Sequence, residues 1–165
     1  MSRHAYLLML VMCLFVALFS PAVLGLTLIE ENRPKARICL RKDAPQKVRE
    51  AATELADVLA AMAGPRRDVK EVAEPPAGPV ILLGGAAEQA GLKMERHSRA
   101  GDGFRYKVQD GRLLIIGESP QGVYHGVFDL LERLGCGWYV PGEIGAVIPK
   151  KRTLRVAADL DHTGL

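Results

Sequence analysis

The chain has 165 residues and a mass of 17.9 kDa, which suits one ordinary domain and is too short for a complete eightfold β/α barrel. Hydrophobic residues make up 48% of it and charged residues 25%, a composition that excludes a disordered or collagen-like chain. The net charge of +3 comes from 22 basic and 19 acidic residues that are spread along the sequence, without the basic block typical of nucleic-acid binding.

The first 25 residues have the pattern of an export signal. The apolar run 6–19 has the length of a signal-peptide core, and small residues follow it at Ser20, Ala22 and Gly25. We therefore predict that residues 1–25 are a signal peptide.

Removal of that segment leaves a mature domain over residues 26–165, which we expect to be secreted or periplasmic. The alternative is a membrane anchor through residues 6–28, because no charged residue occurs between His4 and Glu30. Contact with a membrane is expected only if the signal stays uncleaved.

The mature domain contains two cysteines, Cys39 and Cys136. Export permits a disulfide between them, but an apolar strand and the end of a helix are also where small buried thiols occur. We favour two buried thiols and keep the disulfide as the alternative.

The first predicted strand covers residues 36–40, and a helix follows it. Asp43 is the expected N-cap, Pro45 lies in the first turn, and Gly64-Pro65 ends the helix. Apolar residues recur at steps of three and four and define one buried face: Val48, Ala51, Ala52, Leu55, Val58, Leu59 and Met62.

After a loop at 74–78, residues 79–83 form an apolar run that predicts a central strand. Gly84-Gly85 follows it. Since no glycine-rich phosphate-binding motif surrounds this pair, we favour a plain tight turn over an anion site. A short helix is expected over residues 86–91.

A hairpin is the clearest local signal. Residues 104–109 alternate between apolar and polar side chains, Asp110-Gly111 is a typical two-residue turn, and residues 112–116 return as a second strand.

The second main helix is predicted to start at Ser119 as N-cap, with Pro120 in its first position, and to end at Gly135. The inner face of this helix is predicted to contain Val123, Val127, Leu130, Leu131 and Leu134. After the helix, short strands are expected at 138–139 and 153–157. This order of elements predicts an α/β (α+β) fold with one principal mixed sheet flanked by two main helices.

No arrangement typical of a nucleophile or a metal site is evident. His125 and Cys136 could serve as base and thiol only if the fold brought them together, and nothing in their spacing indicates that it does. His97, His125 and His162 lack metal-ligand spacing, and the two mature cysteines form no CxxC motif. We expect neither a metal nor a cofactor.

Carboxylates are the groups that glycosidic cleavage requires, one as acid and one as nucleophile or base. The candidates are Glu118, Asp129, Glu132 and Glu143. Asp129 and Glu132 lie three residues apart on the predicted helix, off its apolar face, where a solvated surface is the usual outcome. We therefore predict no catalytic residue in this chain.

Residues 122–142, GVYHGVFDLLERLGCGWYVPG, resemble the N-terminal domain of α-glucuronidase-like glycoside hydrolases. That domain is similar to the second, non-catalytic domain of bacterial β-N-acetylhexosaminidases. The resemblance extends over about residues 36–157. Four further segments support it and occur in the right order: AATEL (51–55), ILLG (81–84), DGF (102–104) and LIIG (114–117).

The resemblance implies a mixed sheet with helices that packs, in larger relatives, against a (β/α)₈ barrel carrying the catalytic carboxylates. No catalytic residue can be transferred to this chain, because the barrel would begin where this sequence stops. Many relatives have Arg between the Cys and the Trp of the loop, where this sequence has Gly137.

Trp138 and Tyr139 are the candidate contact residues, in a loop rich in Gly and Pro. They could stack on a sugar ring or pack at the base of the core or in a seam between domains, and we favour packing. The expected function is that of an exported, non-catalytic accessory domain in polysaccharide degradation, with an independent carbohydrate-binding module as the alternative.

Overall fold

The computed structural model describes residues 25–95, 98–139 and 145–165. It contains three helices: α1 (Gln46–Ala63), α2 (Gly85–Gln89) and α3 (Pro120–Arg133). The strands are β1 (Leu26–Glu30), β2 (Arg33–Pro34), β3 (Arg37–Arg41), β4 (Val69–Val72), β5 (Val80–Leu83), β6 (Phe104–Gln109), β7 (Arg112–Gly117), β8 (Gly137–Trp138), β9 (Ala146–Val147), β10 (Leu154–Val156) and β11 (Asp161–Gly164).

Six strands form the principal sheet in the order β11-β6-β7-β5-β3-β4. The four strands β7, β5, β3 and β4 run parallel, whereas β6 and β11 are antiparallel to their neighbours. The sheet is therefore mixed, as predicted. Two smaller sheets, β10-β1-β2 and β8-β9, accompany it.

Both main helices pack against one face of the principal sheet and against each other. Every residue of the predicted apolar face of α1 is buried, as are the predicted inner residues of α3 up to Leu131, while Leu134 is half-buried. The short helix α2 covers a smaller apolar cluster on the other face. These observations confirm the predicted fold class and add that the two main helices share a face.

Ser119 caps α3 as predicted, since its Oγ accepts a hydrogen bond from the amide of Gly122 at 3.2 Å and Pro120 occupies the first turn. The prediction that Asp43 caps α1 is wrong. That helix starts one residue after Pro45, without a side-chain cap, so Asp43 lies too early in the chain. Its carboxylate instead accepts two hydrogen bonds from Arg41, at 2.8 and 3.0 Å.

Five of the described strands were not expected from the sequence: β1, β2, β4, β9 and β11. β10, which corresponds to the predicted strand 153–157, pairs with β1 and lies outside the principal sheet. β11 extends the hairpin as an edge strand alongside β6. Arg105 on β6 donates to both carboxylate oxygens of Asp161 on β11, at 2.9 and 2.7 Å, and this hydrogen bonding lowers the pKa of Asp161.

None of the helices in the described ranges is long and apolar enough to cross a membrane. The predicted signal peptide, and nearly all of the alternative anchor over residues 6–28, lie outside those ranges. Export and anchoring are therefore predictions that the structure leaves untested.

Candidate functional site

The predicted contact residues lie on a small hairpin that follows α3. Trp138 on β8 pairs with Ala146 on β9, and the amide of Tyr139 donates to the carbonyl of Gly145 at 3.0 Å. The loop between the two strands, residues 140–144, lies outside the described ranges. The hairpin backbone thus holds Trp138 and Tyr139 beside the end of α3.

Trp138 is the first member of a row of aromatic side chains that continues along α3. Its ring centroid lies 4.9 Å from that of Phe128, which in turn lies 4.8 Å from that of Tyr124. Lys47 of α1 places its Nζ 3.9 Å from the centre of the Tyr124 ring, in cation–π geometry. We call Tyr124, Phe128, Trp138 and Tyr139 the aromatic surface.

Sequence reasoning missed Tyr124 and Phe128. The available signal was their spacing of four residues on a helix, just off the stripe of aliphatic residues that forms the core. Two aromatic side chains at that spacing share one face and can extend a neighbouring aromatic loop.

The hairpin carries most of the large hydrophobic side chains that are exposed to solvent in the described part of the chain. Trp138 is 36% exposed, Tyr139 79% and Val147 53%, and Leu165 is the only other large hydrophobic side chain that is exposed in the described part of the chain. Three of these four side chains lie on the one hairpin: the pairing of Gly137 with Val147 places Val147 and Tyr139 on one face of it and Trp138 on the other. Clustered exposed apolar residues are typical of a surface that another molecule or domain covers.

Gly137 makes room for Tyr139. A Cβ atom at position 137 would lie only 2.8–3.0 Å from the end of the Tyr139 ring. The absence of a side chain at Gly137 therefore allows the Tyr139 ring to occupy this position. A larger residue would displace the ring and alter the exposed surface of the hairpin.

Asp129 is not the solvated carboxylate that the sequence predicted. Its Oδ2 accepts a hydrogen bond from the hydroxyl of the buried Tyr106 at 2.6 Å and another from Arg133 at 2.9 Å. Burial, and secondarily the hydrogen bond to Asp129, raise the pKa of Tyr106. The prediction failed because a partner from a distant strand reaches this side of the helix.

His162 completes this cluster from β11. Its ring lies 5.1 Å from that of Tyr106, and Arg133 Nη2 lies 3.0 Å from His162 Nε2. The four side chains connect β6, α3 and β11. We interpret the cluster as a structural link between three elements.

The other candidate carboxylates differ in their surroundings. Glu118 follows β7, and its Oε1 accepts a hydrogen bond from the amide of Ser98 at 2.9 Å. Glu132 is exposed on α3, and Glu143 lies outside the described ranges. Glu118 and Asp129 each accept hydrogen bonds that connect separate segments of the chain. Neither has the arrangement expected of a catalytic acid or nucleophile.

His125 and Cys136 occupy different environments. His125 Nε2 lies 2.8 Å from the side-chain nitrogen of Gln121, whereas Cys136 is buried in the main core, where burial raises the pKa of its thiol. The described residues contain no group of three side chains suited to hold a metal ion. His97 lies outside the described ranges.

The two cysteines are free thiols in the structure. Cys136 belongs to the core beneath the main helices, and Cys39 belongs to the smaller cluster on the opposite face of the sheet. Burial is also the main cause of the raised pKa of Cys39. The alternative disulfide between Cys39 and Cys136 is therefore not formed in this fold.

Gly84 and Gly85 lie at a cleft of about 320 Å³ at the carboxyl ends of β3, β5 and β7. Gly84 has a φ of +56°, which a glycine tolerates in a tight turn. Arg41 is the only cation among the described residues that line the cleft, and it is paired with Asp43; Glu88 and Glu118 add two more carboxylates. This charge disfavours an anionic ligand.

Comparison with known proteins finds similarity both in sequence and in fold. The chain is 30% identical over 111 residues to α-glucuronidase A of Emericella nidulans, an alignment that covers 65% of this chain and 13% of that protein. Its fold matches a family GH115 4-O-methyl-α-glucuronidase with specificity for decorated arabinogalactans, with a TM-score of 0.61 and 18% identity.

The structural match covers 78% of this chain and 17% of the larger one. No protein-family model matches the chain. The chain is thus similar to a fraction of two α-glucuronidases, which confirms the resemblance expected from residues 122–142 at the level of a partial domain.

Proposed function

We propose that the chain is an exported accessory domain of an α-glucuronidase-like glycoside hydrolase, which acts together with a catalytic (β/α)₈ barrel. The observation that carries the proposal is the exposure of Trp138, Tyr139 and Val147 on one hairpin, in a chain whose alignment covers 13% of an α-glucuronidase. Aromatic side chains are enriched where a protein surface is covered by a partner. The barrel is the partner that this hairpin would contact.

A non-catalytic role is supported by the surroundings of two of the candidate carboxylates, Asp129 and Glu118. Asp129 is held by Tyr106 and Arg133, and Glu118 is held by the backbone of Ser98. A glycosidase needs two carboxyl groups that face each other across the scissile bond. We infer that the cleavage is performed by residues of the barrel.

The second candidate function is an independent carbohydrate-binding module. It is favoured by the 79% exposure of the Tyr139 ring, since an exposed aromatic ring can stack on a sugar. The two functions differ in what covers the aromatic surface, a protein or a glycan.

The purified chain is expected to release no glucuronic acid from aryl glucuronides or glucuronate-bearing oligosaccharides, and no sugar from aryl hexosaminides. The measurement is product release over long incubations, with a complete α-glucuronidase as the positive control. Activity that co-purifies with the chain and is abolished by Glu132→Gln or Glu143→Gln would show that the chain is itself the catalyst.

Export is expected to remove the leader without affecting the fold, because the first described strand begins at Leu26. Mass spectrometry of secreted protein should give an N-terminus between Val23 and Leu28. Recovery of intact Met1 from the membrane fraction would favour the anchored alternative.

A further inference from the structure

An open groove of about 480 Å³ lies between β2, the start of β3 and the segment that connects α1 to β4. Its volume is within the range of about 300–1,000 Å³ that is typical of ligand clefts. Apart from Pro34 and Pro65, every described residue that lines the groove is charged: Arg33, Arg37, Arg66, Arg67, Asp68 and Lys70.

The groove concentrates positive charge. It brings together five basic side chains and one carboxylate, an excess greater than the net charge of +3 that the whole chain carries. Lys70 lies 3.7 Å from Asp68, at the outer limit of an ion pair, and these two side chains are 62% and 80% exposed. Asp68 therefore neutralises little of this charge, and Asp57 of α1 is paired with one of the five basic side chains, Arg66.

Two of the arginines hold the walls of the groove in place. Arg67 donates to the carbonyl of Pro34 through Nε at 2.9 Å and through Nη2 at 2.5 Å, which ties the segment after α1 to β2. Arg66 is paired with Asp57 of α1. The groove is consequently built from connected elements and not from one mobile loop.

The other two arginines are available for a ligand. Arg33 is exposed, and its guanidinium group has no hydrogen-bond or ion-pair partner among the described residues. Arg37 donates Nη2 to the carbonyl of Ala77 at 3.0 Å, and its remaining donors are uncommitted within the described ranges. A guanidinium group pairs with a carboxylate through two parallel hydrogen bonds, which makes both residues suited to bind carboxylates.

We infer that this groove binds the uronic-acid carboxylates of an acidic polysaccharide, as a site separate from the aromatic surface. The inference rests on the proposed function for the choice of ligand, because glucuronate-bearing glycans are the substrates that an α-glucuronidase domain would meet. Among the described residues that line the groove there is no aromatic side chain on which a nucleic-acid base could stack and no large apolar side chain that would enter a lipid surface. Arg33 and Arg37 are the principal contacts, and Lys70 contributes charge.

The test is the affinity of the full chain for xylo-oligosaccharides that carry 4-O-methylglucuronic acid, measured by titration calorimetry at low and high salt. The control ligand is the same oligosaccharide with its carboxyl groups reduced to alcohols. The charged ligand should bind, more weakly at high salt, and the reduced ligand should bind at least about tenfold more weakly, since a hydrogen bond to a charged group contributes enough for that factor.

The variant Arg33→Gln/Arg37→Gln should weaken binding of the charged ligand by about tenfold or more. The matched control is Lys42→Gln, which removes one exposed charge just beyond the other end of β3, roughly 16 Å from Arg37 and thus beyond the Debye length at physiological salt. It should leave the affinity unchanged. If the double variant fails to fold, the single variant Arg33→Gln gives the same test, because that side chain holds no other part of the described structure.

Three results would overturn the inference: no binding of the charged ligand, equal binding of the reduced ligand, or equal affinity in the Arg33 and Arg37 variants. Anionic lipid vesicles that bind through the same arginines as tightly as the oligosaccharide would also contradict the assignment of a glycan. These outcomes are independent of association with a barrel, so failure of this inference and failure of the proposed function can be told apart.

Discussion

Replacement of Leu55 or Leu130 by alanine is expected to lower the free energy of unfolding by about 2–5 kcal/mol, the usual cost of deleting a buried leucine side chain. Leu55 is 0% exposed and Leu130 is 1% exposed. They lie in the middle of the apolar faces of α1 and α3, in the single core that these helices share with the sheet. Each substitution leaves a cavity that rigid neighbours cannot fill.

Denaturant unfolding followed by far-UV circular dichroism measures this effect. Glu54→Ala and Glu132→Ala are matched controls, since they lie on the exposed sides of the same two helices and should change stability by no more than about 0.5 kcal/mol. Leucine variants that unfold at the same denaturant concentration as the unsubstituted chain would show that the buried faces have been assigned incorrectly.

Substitution of Gly117 or Gly122 by alanine is expected to cost about 3 kcal/mol or more, at the upper end of the range for overpacking. A Cβ atom at Gly122 would lie 2.3 Å from the carbonyl oxygen of Gly103, and one at Gly117 would lie 2.2 Å from the amide nitrogen of Val123. Both obstacles are backbone atoms, which cannot rotate away. The two glycines therefore permit the start of α3 to lie directly against the end of β7.

Gly111→Ala is the control for this prediction. Gly111 has a φ of +68° in the hairpin turn, and a Cβ there would meet nothing within 4 Å. Its cost should be limited to the backbone strain of a left-handed residue, about 1–2 kcal/mol. Thermal melts in which Gly117→Ala and Gly122→Ala are no less stable than Gly111→Ala would contradict the close approach of helix and strand.

The main helices and the hairpin could be predicted because their signals are local. The three- and four-residue spacing in α1 and α3, Ser119 before Pro120, and Asp110-Gly111 between two alternating strands each specify a conformation without reference to the rest of the chain. The structure agrees with each of them.

The edge strands could not be predicted, because their stability comes from partners that are distant in sequence. β11 has the sequence DHTG, which has no strand pattern, and it is held by its pairing with β6 and by Arg105. Asp129 escaped prediction for the same reason, since its main partner is a tyrosine 23 residues away. The candidate site was predicted only in part. The sequence indicated Trp138 and Tyr139 as contact residues. Tyr124 and Phe128 join the aromatic surface because the hairpin packs on α3, which the sequence does not show.

A catalytic barrel is expected to cover the aromatic surface. Sedimentation velocity of the chain mixed with an α-glucuronidase barrel region, produced without the segment that the chain matches, tests it directly. We predict a one-to-one complex that Trp138→Ala/Tyr139→Ala weakens by at least about tenfold, as expected for aromatic residues at the centre of an interface, and that the exposed-residue control Leu165→Ala leaves intact. Absence of a complex, together with a saturable change in the fluorescence of Trp138 on addition of neutral xylo- or chito-oligosaccharides, would contradict the accessory-domain account and favour the carbohydrate-binding module.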